Sequence, residues 1–516
     1  MSKIKILWAD DEIDSLKPQI MFLEAKGYQI VAVTNGYDAI EECKEQHFDV
    51  VFLDESMPGI TGLETLSSIK TINSAVPIVM ITKNEAENIM ESAIGAQITD
   101  YLIKPVNPHQ ILLTLKKIID SQRLVSAATT SAYQQEFMKI FSQIQASSDY
   151  HDWVELYKKL IFWELELENN QADEMKEILA NQKEEANNEF CKFIGKNYID
   201  WIQGRKQAPT MSHTLFKNKI FPKLQEGVSN FVILIDNLRF DQWKVIQPII
   251  SECFRFIQEE TFFSILPSST HYSRNAIFAG MMPLDIEKNF PQFWKNDVDE
   301  GGKNLHEADF LEEQLNRNHI NKKHRYLKIT NNHDGNALVD NILNLTNNDL
   351  NVIVYNFVDM LSHARTEMEV LKELASDEAA YRSITRSWFI HSPLWQALRR
   401  LEDRPVNIII TTDHGTVRVQ RASKVIGDRE TTTNLRYKHG RNLQYNAKDV
   451  LEFRRPADAK LPTPNVSSTF IFAKEDLFFA YPNNYNYYVN YFRNTFQHGG
   501  ISLEEMIIPI VQFSNK

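Results

Sequence analysis

Short apolar runs alternate with amphipathic segments over the first 120 residues of the chain. The runs with strand character are IKILWA, QIVAV, DVVFL, VPIVMI and DYLI. Four stretches with helical spacing of apolar residues separate them, and a fifth, PHQILLTLKKIID, follows the last run. This alternation predicts an α/β domain over residues 1–120, in which helices cover both faces of a five-stranded parallel sheet.

The hydrophobic pattern changes twice beyond this first domain. A polar stretch, Ser121–Ser131, precedes a region without strand-like runs, in which apolar residues recur every three or four positions. This spacing predicts a helical bundle linker over residues 121–205. The later runs NFVILID, NVIVYNFVD and NIIITTD, with helical segments between them, predict a second and larger α/β domain over residues 206–516.

Composition narrows the class of protein. The 516 residues are 43% hydrophobic and 24% charged, which suits several globular domains. The 56 Lys and Arg against 68 Asp and Glu leave a net charge of −12, so we expect no direct DNA binding. Cys43, Cys191 and Cys253 are isolated and can form neither a disulfide framework nor a thiolate zinc site. With no signal-peptide core or apolar run of membrane-spanning length, we expect a cytoplasmic protein.

Polar residues end the strand-like runs of the first domain. Asp10 and Asp11 follow the first run, Asp54 ends the third, Thr82 ends the fourth, and Lys104 follows the fifth. Because parallel strands deliver these ends to one edge of the sheet, we expect the side chains to meet there. Three neighbouring carboxylates require a hard cation such as Mg²⁺, and an aspartate facing a lysine can then accept a phosphoryl group.

The strings WADDE, VFLDESMPG, ITK and YLIKP resemble the receiver domain of two-component response regulators, which has a flavodoxin-like fold. The resemblance implies that a sensor histidine kinase phosphorylates Asp54. It also implies that Asp10 and Asp11 hold Mg²⁺ together with Asp54, and that Lys104 pairs with the phosphoryl oxygens.

Two further positions carry switch roles in that resemblance. Thr82 would hydrogen-bond the phosphoryl group, and Tyr101 stands where the family keeps an aromatic residue that turns inward when this hydroxyl is recruited. Ordinary packing explains Tyr101 equally well.

The second α/β domain contains a candidate metal site. Its three strand-like runs and the string QHGGISLEEM supply three carboxylates and three histidines, namely Asp236, Asp359, His363, Asp413, His414 and His498. This mixture of nitrogen and oxygen ligands is one that zinc prefers. Six ligands suffice for two ions, and such pairs clamp the attacking and leaving oxygens of an in-line displacement. Taken singly, His363 or His498 would be an ordinary histidine.

The string ILPSSTHYSRNAIFAG supplies the nucleophile. Thr270 is the candidate, because an amphipathic helix begins directly behind it, and Ser268 and Ser269 are rivals. Arg274 and Asn275, one turn further on, are predicted to hold non-bridging phosphate oxygens.

The strings DNLRFDQW, DHG and HGGISLEEM, together with the Thr270 segment, resemble the PglZ branch of the alkaline phosphatase superfamily. The resemblance implies one zinc held by Asp359, His363 and His498. It implies a second zinc held by Asp236, Asp413, His414 and the oxygen of Thr270. The ten-residue interval from Thr270 to Gly280 is similar to that of nucleotide pyrophosphatase/phosphodiesterase relatives, which favours diester substrates and leaves monoesterase or phosphomutase activity open.

A locally basic segment follows the DHG string. Arg436, Lys438 and Arg441 are predicted to bind substrate phosphate, and a solvated loop is an equally good interpretation.

The order of receiver, helical linker and PglZ-type domain resembles the PorX-type response regulators that control type IX secretion. The resemblance implies phosphorylation-dependent domain packing or dimerisation and a zinc-dependent phosphodiesterase output, plausibly acting on nucleotides. It also implies a secretion-machinery cytoplasmic segment and an extracytoplasmic-function sigma factor as partners. The competing interpretation is a signalling adaptor whose metal site stabilises a partner-binding surface without essential catalysis.

Overall fold

The structure is a computed structural model that describes residues 4–83, 98–119, 121–170, 173–361, 375, 377–428, 431–463 and 467–516. The chain divides into two compact units. The first comprises residues 1–132 and 170–172, and the second comprises residues 133–169 and 173–516. None of the described helices combines the length and apolar character needed to cross a membrane.

The first unit contains the predicted five-stranded parallel sheet. Its strands are β1 (Lys5–Ala9), β2 (Gln29–Val33), β3 (Val50–Asp54), β4 (Ile78–Thr82) and β5 (Asp100–Ile103). They are ordered β2-β1-β3-β4-β5, and every pairing is parallel. The helices are α1 (Lys17–Ala25), α2 (Gly36–Glu45), α3 (Gly62–Ile72) and α4 (Pro108–Ile119), after a 3-10 turn at Ile13–Leu16. The predicted helix between β4 and β5 falls on residues 84–97, outside the described part.

Helices on both faces explain why these strands are almost continuously apolar. Alternate residues of β3, such as Phe52 and Leu53, enter two separate apolar clusters on opposite faces of the sheet. The strands therefore show no polar face, as expected of a doubly covered parallel sheet. This arrangement confirms the predicted α/β layout of the first domain.

Three long helices follow: α5 (Ser121–Ala146), α6 (Tyr150–Asn169) and α7 (Asp173–Ile202). The polar stretch Ser121–Ser131 lies inside α5, since its Ala, Ser and Gln residues are compatible with a helix. The aromatic residues of α6 and α7 pack within the second unit. Tyr157 contacts Phe240, and Trp201 contacts Phe263, with ring centroids 5.9 and 6.0 Å apart.

The second unit is built on a six-stranded mixed sheet ordered β7-β18-β10-β6-β9-β8. The strands of the unit are β6 (Ser229–Ile235), β7 (Phe254–Phe263), β8 (His324–Ile329), β9 (Leu350–Tyr355), β10 (Val406–Thr411), β11 (Val417–Arg418), β12 (Arg421–Lys424), β13 (Tyr437–Gly440), β14 (Val450–Phe453), β15 (Thr469–Ala473), β16 (Leu477–Ala480), β17 (Phe496–Gln497) and β18 (Ile507–Asn515). The pairings β10·β6, β6·β9 and β9·β8 are parallel, whereas β18 runs antiparallel to β10 and β7. The remaining strands form three small sheets, β11-β17, β12-β16 and β13-β15-β14.

Helices pack against this sheet and connect its strands. They are α8 (Phe240–Cys253), α9 (Asn275–Ala279), α10 (Pro283–Asn289), α11 (Glu307–Arg317), α12 (Asn332–Leu345), α13 (Glu378–His391), α14 (Pro393–Arg399), α15 (Tyr485–Phe492) and α16 (Leu503–Met506). Short 3-10 or π-helical turns lie at Ser212–Thr214, Phe216–Ile220, Phe221–Lys223, Thr270–Arg274 and Pro456–Ala459. Trp243 and Ile250 of α8 pack on Ile233 of β6 within one buried apolar cluster. Because β10, β6 and β9 are neighbours, their carboxyl ends form one edge.

Candidate functional site

The strand ends of the first unit bring an aspartate cluster and a lysine together. Lys104 Nζ lies 2.9 Å from Asp10 Oδ2 and 2.9 Å from Asp54 Oδ2. Carboxylate oxygens of Asp10, Asp11 and Asp54 all lie within 4.8 Å of one another. Burial raises the pKa of Asp54, as does the charge of Asp10, while the hydrogen bond from Lys104 opposes the shift. This crowding of negative charge fits a hard divalent cation such as Mg²⁺.

The two predicted switch residues differ in burial. Thr82 is buried at the end of β4, where its hydroxyl donates to the carboxylate of Glu55. Tyr101 in β5 is 41% exposed, so its ring faces outward in this structure.

The second unit gathers its own cluster at the ends of β6 and β10. Thr270 Oγ1, at the start of the turn Thr270–Arg274, lies 3.0 Å from His414 Nε2 and 3.4 Å from Asp236 Oδ1. His414 Nε2 is 3.7 Å from Asp413 Oδ2 and 4.0 Å from Asp236 Oδ1. The predicted nucleophile and three of the predicted metal ligands therefore meet at one point.

Asp413 shows the electrostatic character of this cluster. It is fully buried, and among the described residues its Oδ2 atom accepts no hydrogen bond. Burial and the neighbouring charge of Asp236 raise the pKa of Asp413 to about 6. A buried carboxylate oxygen without a donor, beside a second carboxylate and an imidazole nitrogen, fits a divalent metal ion.

Asp359 and His498 lie beside this point. His498 Nε2 is 3.7 Å from Asp359 Oδ1, and the His498 ring stacks on the ring of His414 with centroids 4.4 Å apart. Asn237 ties the two groups together, because its backbone N–H donates to Asp413 Oδ1 and its side-chain amide donates to Asp359 Oδ1, both at 3.2 Å. The remaining predicted ligand, His363, lies outside the described residues.

A cavity of about 930 Å³ opens onto both groups. It is lined by Asp236, Ser269, Thr270, His271, Arg274, Asp297, Val298, Lys303, Asn304, Asn356, Asp359, Thr431, Thr432, Thr433, Asn434, Leu435, Tyr437, Phe492, Gln497 and His498. Its polar side chains surround the Thr270 hydroxyl, so the reacting groups face a space large enough for a ligand.

Comparison with known protein families places three regions in order along the chain. A receiver domain of response regulators matches residues 6–116, and the PorX response regulator linker domain matches residues 123–202. The BREX system PglZ alkaline phosphatase-like domain matches residues 215–513, more than half of the chain. The chain belongs to the PglZ family. With its receiver and linker regions it has the layout of a PorX-type response regulator.

Individual relatives match this PglZ-family chain through its receiver region. The transcriptional regulatory protein ZraR of Salmonella typhimurium is 33% identical over 140 residues, which are 27% of this chain and 32% of ZraR. The transcriptional regulatory protein ResD of Bacillus subtilis is 29% identical over 150 residues, 29% of this chain and 62% of ResD. The match thus spans less than two thirds of each relative. The chemotaxis protein CheY4 of Vibrio cholerae is a similar solved structure, with 27% identity, 23% of this chain and 100% of that chain covered, and a TM-score of 0.22.

Receiver and alkaline-phosphatase-like domains generally use metal ions, and a receiver domain has a phosphorylating histidine kinase as its partner. Both statements agree with the expectations from the sequence, namely metal ions in both domains and a sensor histidine kinase as partner. The match to an alkaline phosphatase-like domain points to a hydrolase of that superfamily.

Two residues expected to grip phosphate oxygens have other partners in the PglZ-type domain. Arg274 is 2% exposed, and its guanidinium donates to Asp236 Oδ2 and Glu307 Oε1, each at 2.6 Å. Asn275 is 1% exposed, and its amide donates to the carbonyl oxygens of His271 and Lys303. In this structure the Nε and Nη1 atoms of Arg274 hold Asp236 and Glu307, and Asn275 braces the Thr270 segment.

The rival nucleophile candidates, Ser268 and Ser269, do not make the contacts that Thr270 makes. Ser268 is fully buried, and its hydroxyl donates to the carbonyl of Gly500 at 2.8 Å. Ser269 lines the cavity, but the contacts with His414 and Asp236 belong to Thr270.

The expectation that Arg436, Lys438 and Arg441 grip substrate differs from the structure. Arg436 is fully buried and donates to Glu505 Oε2 at 2.6 Å. Lys438 donates to the carbonyl of Thr432 at 2.8 Å, and burial lowers its pKa to about 7. None of the three lines the described cavity. Arg436 and Lys438 are buried because they lie directly before and within β13, which pairs with β15.

Sequence reasoning missed supporting residues that have no signature of their own. Asn237 adopts a left-handed backbone with φ of 64° and links two carboxylates. Asp297 accepts from Tyr272 and Tyr437 and lies 2.9 Å from His271 Nδ1. The asparagine directly after a strand-ending aspartate was a detectable signal, whereas Asp297 lies in an irregular segment and was not.

Proposed function

We propose that this chain is a response regulator whose PglZ-type domain is a zinc-dependent phosphodiesterase with Thr270 as nucleophile. The observation that carries the proposal is the contact of Thr270 Oγ1 with His414 Nε2 at 3.0 Å, beside Asp236 and Asp413. A hydroxyl held against an imidazole nitrogen and buried carboxylates is poised for activation as a nucleophile.

The hydrogen bonds of His414 support this role. Its Nδ1 lies 3.2 Å from the carbonyl oxygen of Gly415, which can only accept, so Nδ1 carries the proton. Nε2 then has its lone pair available for a metal ion, on the side of the ring where the Thr270 hydroxyl lies. Divalent ions held by Asp236, Asp413 and His414, and by Asp359 with His498, would supply positive charge for the phosphoryl oxygens.

The space around Thr270 supports diester substrates. The cavity volume of about 930 Å³ leaves room for substituents on both sides of a phosphoryl group. Together with the Thr270 to Gly280 interval, this room favours diesters, with nucleotides as the substrate class we propose.

Regulation is proposed to begin at the receiver. Asp54, with Lys104 at 2.9 Å and Asp10 and Asp11 beside it, would take a phosphoryl group from the histidine kinase in the presence of Mg²⁺. We infer from the PorX-type layout that the output serves type IX secretion in the cytoplasm, with a secretion-machinery segment and an extracytoplasmic-function sigma factor as partners.

The test is hydrolysis of a chromogenic phosphodiester and of the matching monoester by zinc-loaded, chelated and Thr270→Val protein. We expect diester cleavage that requires metal and that falls on the order of 10³-fold or more in the variant. Preferred cleavage of the monoester would replace the diesterase assignment. Absence of turnover from either substrate by metallated protein would favour a signalling adaptor and contradict the proposal.

A further inference from the structure

A network of buried charged side chains links the loop that carries Asp236 to helix α6. Arg382 Nη1 donates to Asp241 Oδ2 at 2.8 Å and to Glu164 Oε1 at 2.7 Å. Arg239 Nε donates to Asp241 Oδ1 at 2.8 Å. Arg239 and Asp241 are fully buried, and Arg382 is 3% exposed. Glu164 of α6 is thus linked, through Arg382 of α13, to the Arg239–Asp241 pair at the start of α8.

This pair follows the predicted metal ligand Asp236 within five residues. The chain between them is held by Leu238 N–H, which donates to Thr412 Oγ1 at 2.9 Å. A displacement of Arg239 or Asp241 would therefore move a short, fully buried segment that ends in the Asp236 carboxylate.

A second arm of the network reaches helix α16 from α7. Asn187 Nδ2 donates to Glu504 Oε2 at 3.1 Å, and Asn187 Oδ1 accepts from Leu503 N–H at 2.8 Å. Lys183 joins the two arms, because its Nζ lies 2.6 Å from Glu164 Oε2 and 3.8 Å from Glu504 Oε1.

Helix α16 in turn supports the turn that carries Asp413 and His414. The carbonyl oxygen of Glu504 lies only 2.1 Å from the point where a Cβ atom on Gly415 would stand. Gly415 N–H donates to the carbonyl of Glu505 at 3.3 Å. The turn therefore rests directly on a helix whose first residues are bonded to Asn187.

The charge on Glu164 is essential to the network. Burial alone would raise the pKa of Glu164, but Lys183 and Arg382 outweigh burial and lower it. Removing this carboxylate takes a partner from buried Arg382 and from Lys183, whose side chain is 15% exposed. We expect both cations to shift in order to recover a partner.

We propose that Glu164 and Asn187 are positioning residues of the hydrolase site: they hold the two loops that carry Asp236 and Asp413–His414. This inference rests on the proposed function of that site. It makes the helical segment a component of the metal centre as well as a connection between domains.

The test compares Glu164→Gln and Asn187→Leu with matched controls in the full chain. Glu155→Gln removes an exposed carboxylate of the same helix, and Asn188→Ala removes the neighbouring amide, which donates to Glu475 at 2.9 Å. Zinc affinity is measured by competition with a chromogenic chelator, and folding by circular dichroism. We expect about tenfold weaker zinc binding in each positioning variant, as for partners of metal ligands, and wild-type affinity in both controls.

Diester turnover at saturating zinc provides the second readout. We expect a lower kcat with little change in KM, because the reacting groups and not the substrate pocket are misplaced. If wild-type protein binds zinc but cleaves no ester, the proposed function fails, and the affinity comparison still decides the positioning role.

Wild-type zinc affinity in folded Glu164→Gln and Asn187→Leu would overturn the proposal. If Glu164→Gln does not fold, Glu164→Asp replaces it, because the shorter side chain keeps the charge and withdraws the carboxylate from Lys183 and Arg382. Unchanged zinc affinity in that variant and in Asn187→Leu would overturn it equally.

Discussion

Asp413 illustrates at the scale of a single residue how burial prepares a site for metal. Its carboxyl group is fully enclosed next to Asp236, and its pKa rises from 3.8 to about 6. The folded, metal-free protein therefore keeps the proton on Asp413 up to about pH 6, whereas the unfolded chain loses it near pH 4. The stability that this difference contributes is fully present below about pH 4 and is lost as the pH rises through about 6.

Because its pKa is raised, Asp413 should make the metal-free protein less stable as the pH rises. Without metal, we expect Asp413 to make the free energy of unfolding about 2 kcal/mol lower at pH 7.5 than at pH 4, through this group alone. Urea titrations of chelated protein at several pH values measure it, with Asp413→Asn expected to remove most of the slope. The exposed Asp403→Asn is the control, and a slope equal to wild type in Asp413→Asn would contradict the assignment.

At the scale of secondary-structure elements, the turn after β10 depends on close contact with α16. Gly415 has no room for a side chain, because a Cβ atom there would lie only 2.1 Å from the Glu504 carbonyl oxygen. The sequence DHG indicates a turn but not this contact, which arises from a helix some ninety residues later in the chain.

Gly415→Ala is therefore expected to destabilise the second unit by about 1–3 kcal/mol and to weaken zinc binding, since the turn or α16 must shift. Gly195→Ala in α7 is the matched control. Its Cβ would meet only Leu451 Cδ1 at 3.6 Å, so an unchanged or slightly higher stability is expected there. Urea unfolding measures both, and equal stability of Gly415→Ala and wild type would rule out the tight contact.

A strand could be predicted from the sequence where its burial leaves a local hydrophobic pattern. Strands β1, β3 and β4 were predicted because burial on both faces makes them continuous apolar runs, and β6, β9 and β10 for the same reason. The edge strands β2 and β5 are less buried and were predicted from their short apolar runs. Strands β7 and β18 were missed, since FRFIQEETFF mixes charges with apolar residues and the partner strand lies at the far end of the chain. Strand-end aspartates were predictable from topology, but the burial of Arg436 depends on Glu505, which no local pattern reveals.

At the scale of the whole molecule, the two compact units place the Asp54 cluster and the Thr270 cluster in separate bodies. The helical segment from Tyr133 onward belongs to the hydrolase unit, as its contacts with Phe240 and Phe263 show. Under the proposed function, we expect a phosphorylation signal from Asp54 to act by changing the packing between units or the association of chains.

We expect a small phosphoryl donor with Mg²⁺ to label wild-type protein and to change its sedimentation coefficient. Asp54→Ala should show neither effect while retaining the metal content of the hydrolase site, because Asp54 lies in the other unit. Analytical ultracentrifugation with labelled donor measures both. Labelling of Asp54→Ala at the wild-type level would remove Asp54 from its role.

The central claim is that Thr270 attacks the phosphoryl group, and trapping of the covalent species tests it most directly. Attack forms a bond between Thr270 Oγ1 and phosphorus and releases the leaving-group oxygen. Zinc-loaded protein mixed with a slow aryl phosphodiester is quenched in acid, digested and analysed by mass spectrometry. The account predicts a phosphoryl ester adduct on the peptide that contains Thr270, absent from Thr270→Val. Turnover at the wild-type rate by Thr270→Val, with no adduct on wild-type protein, would contradict it.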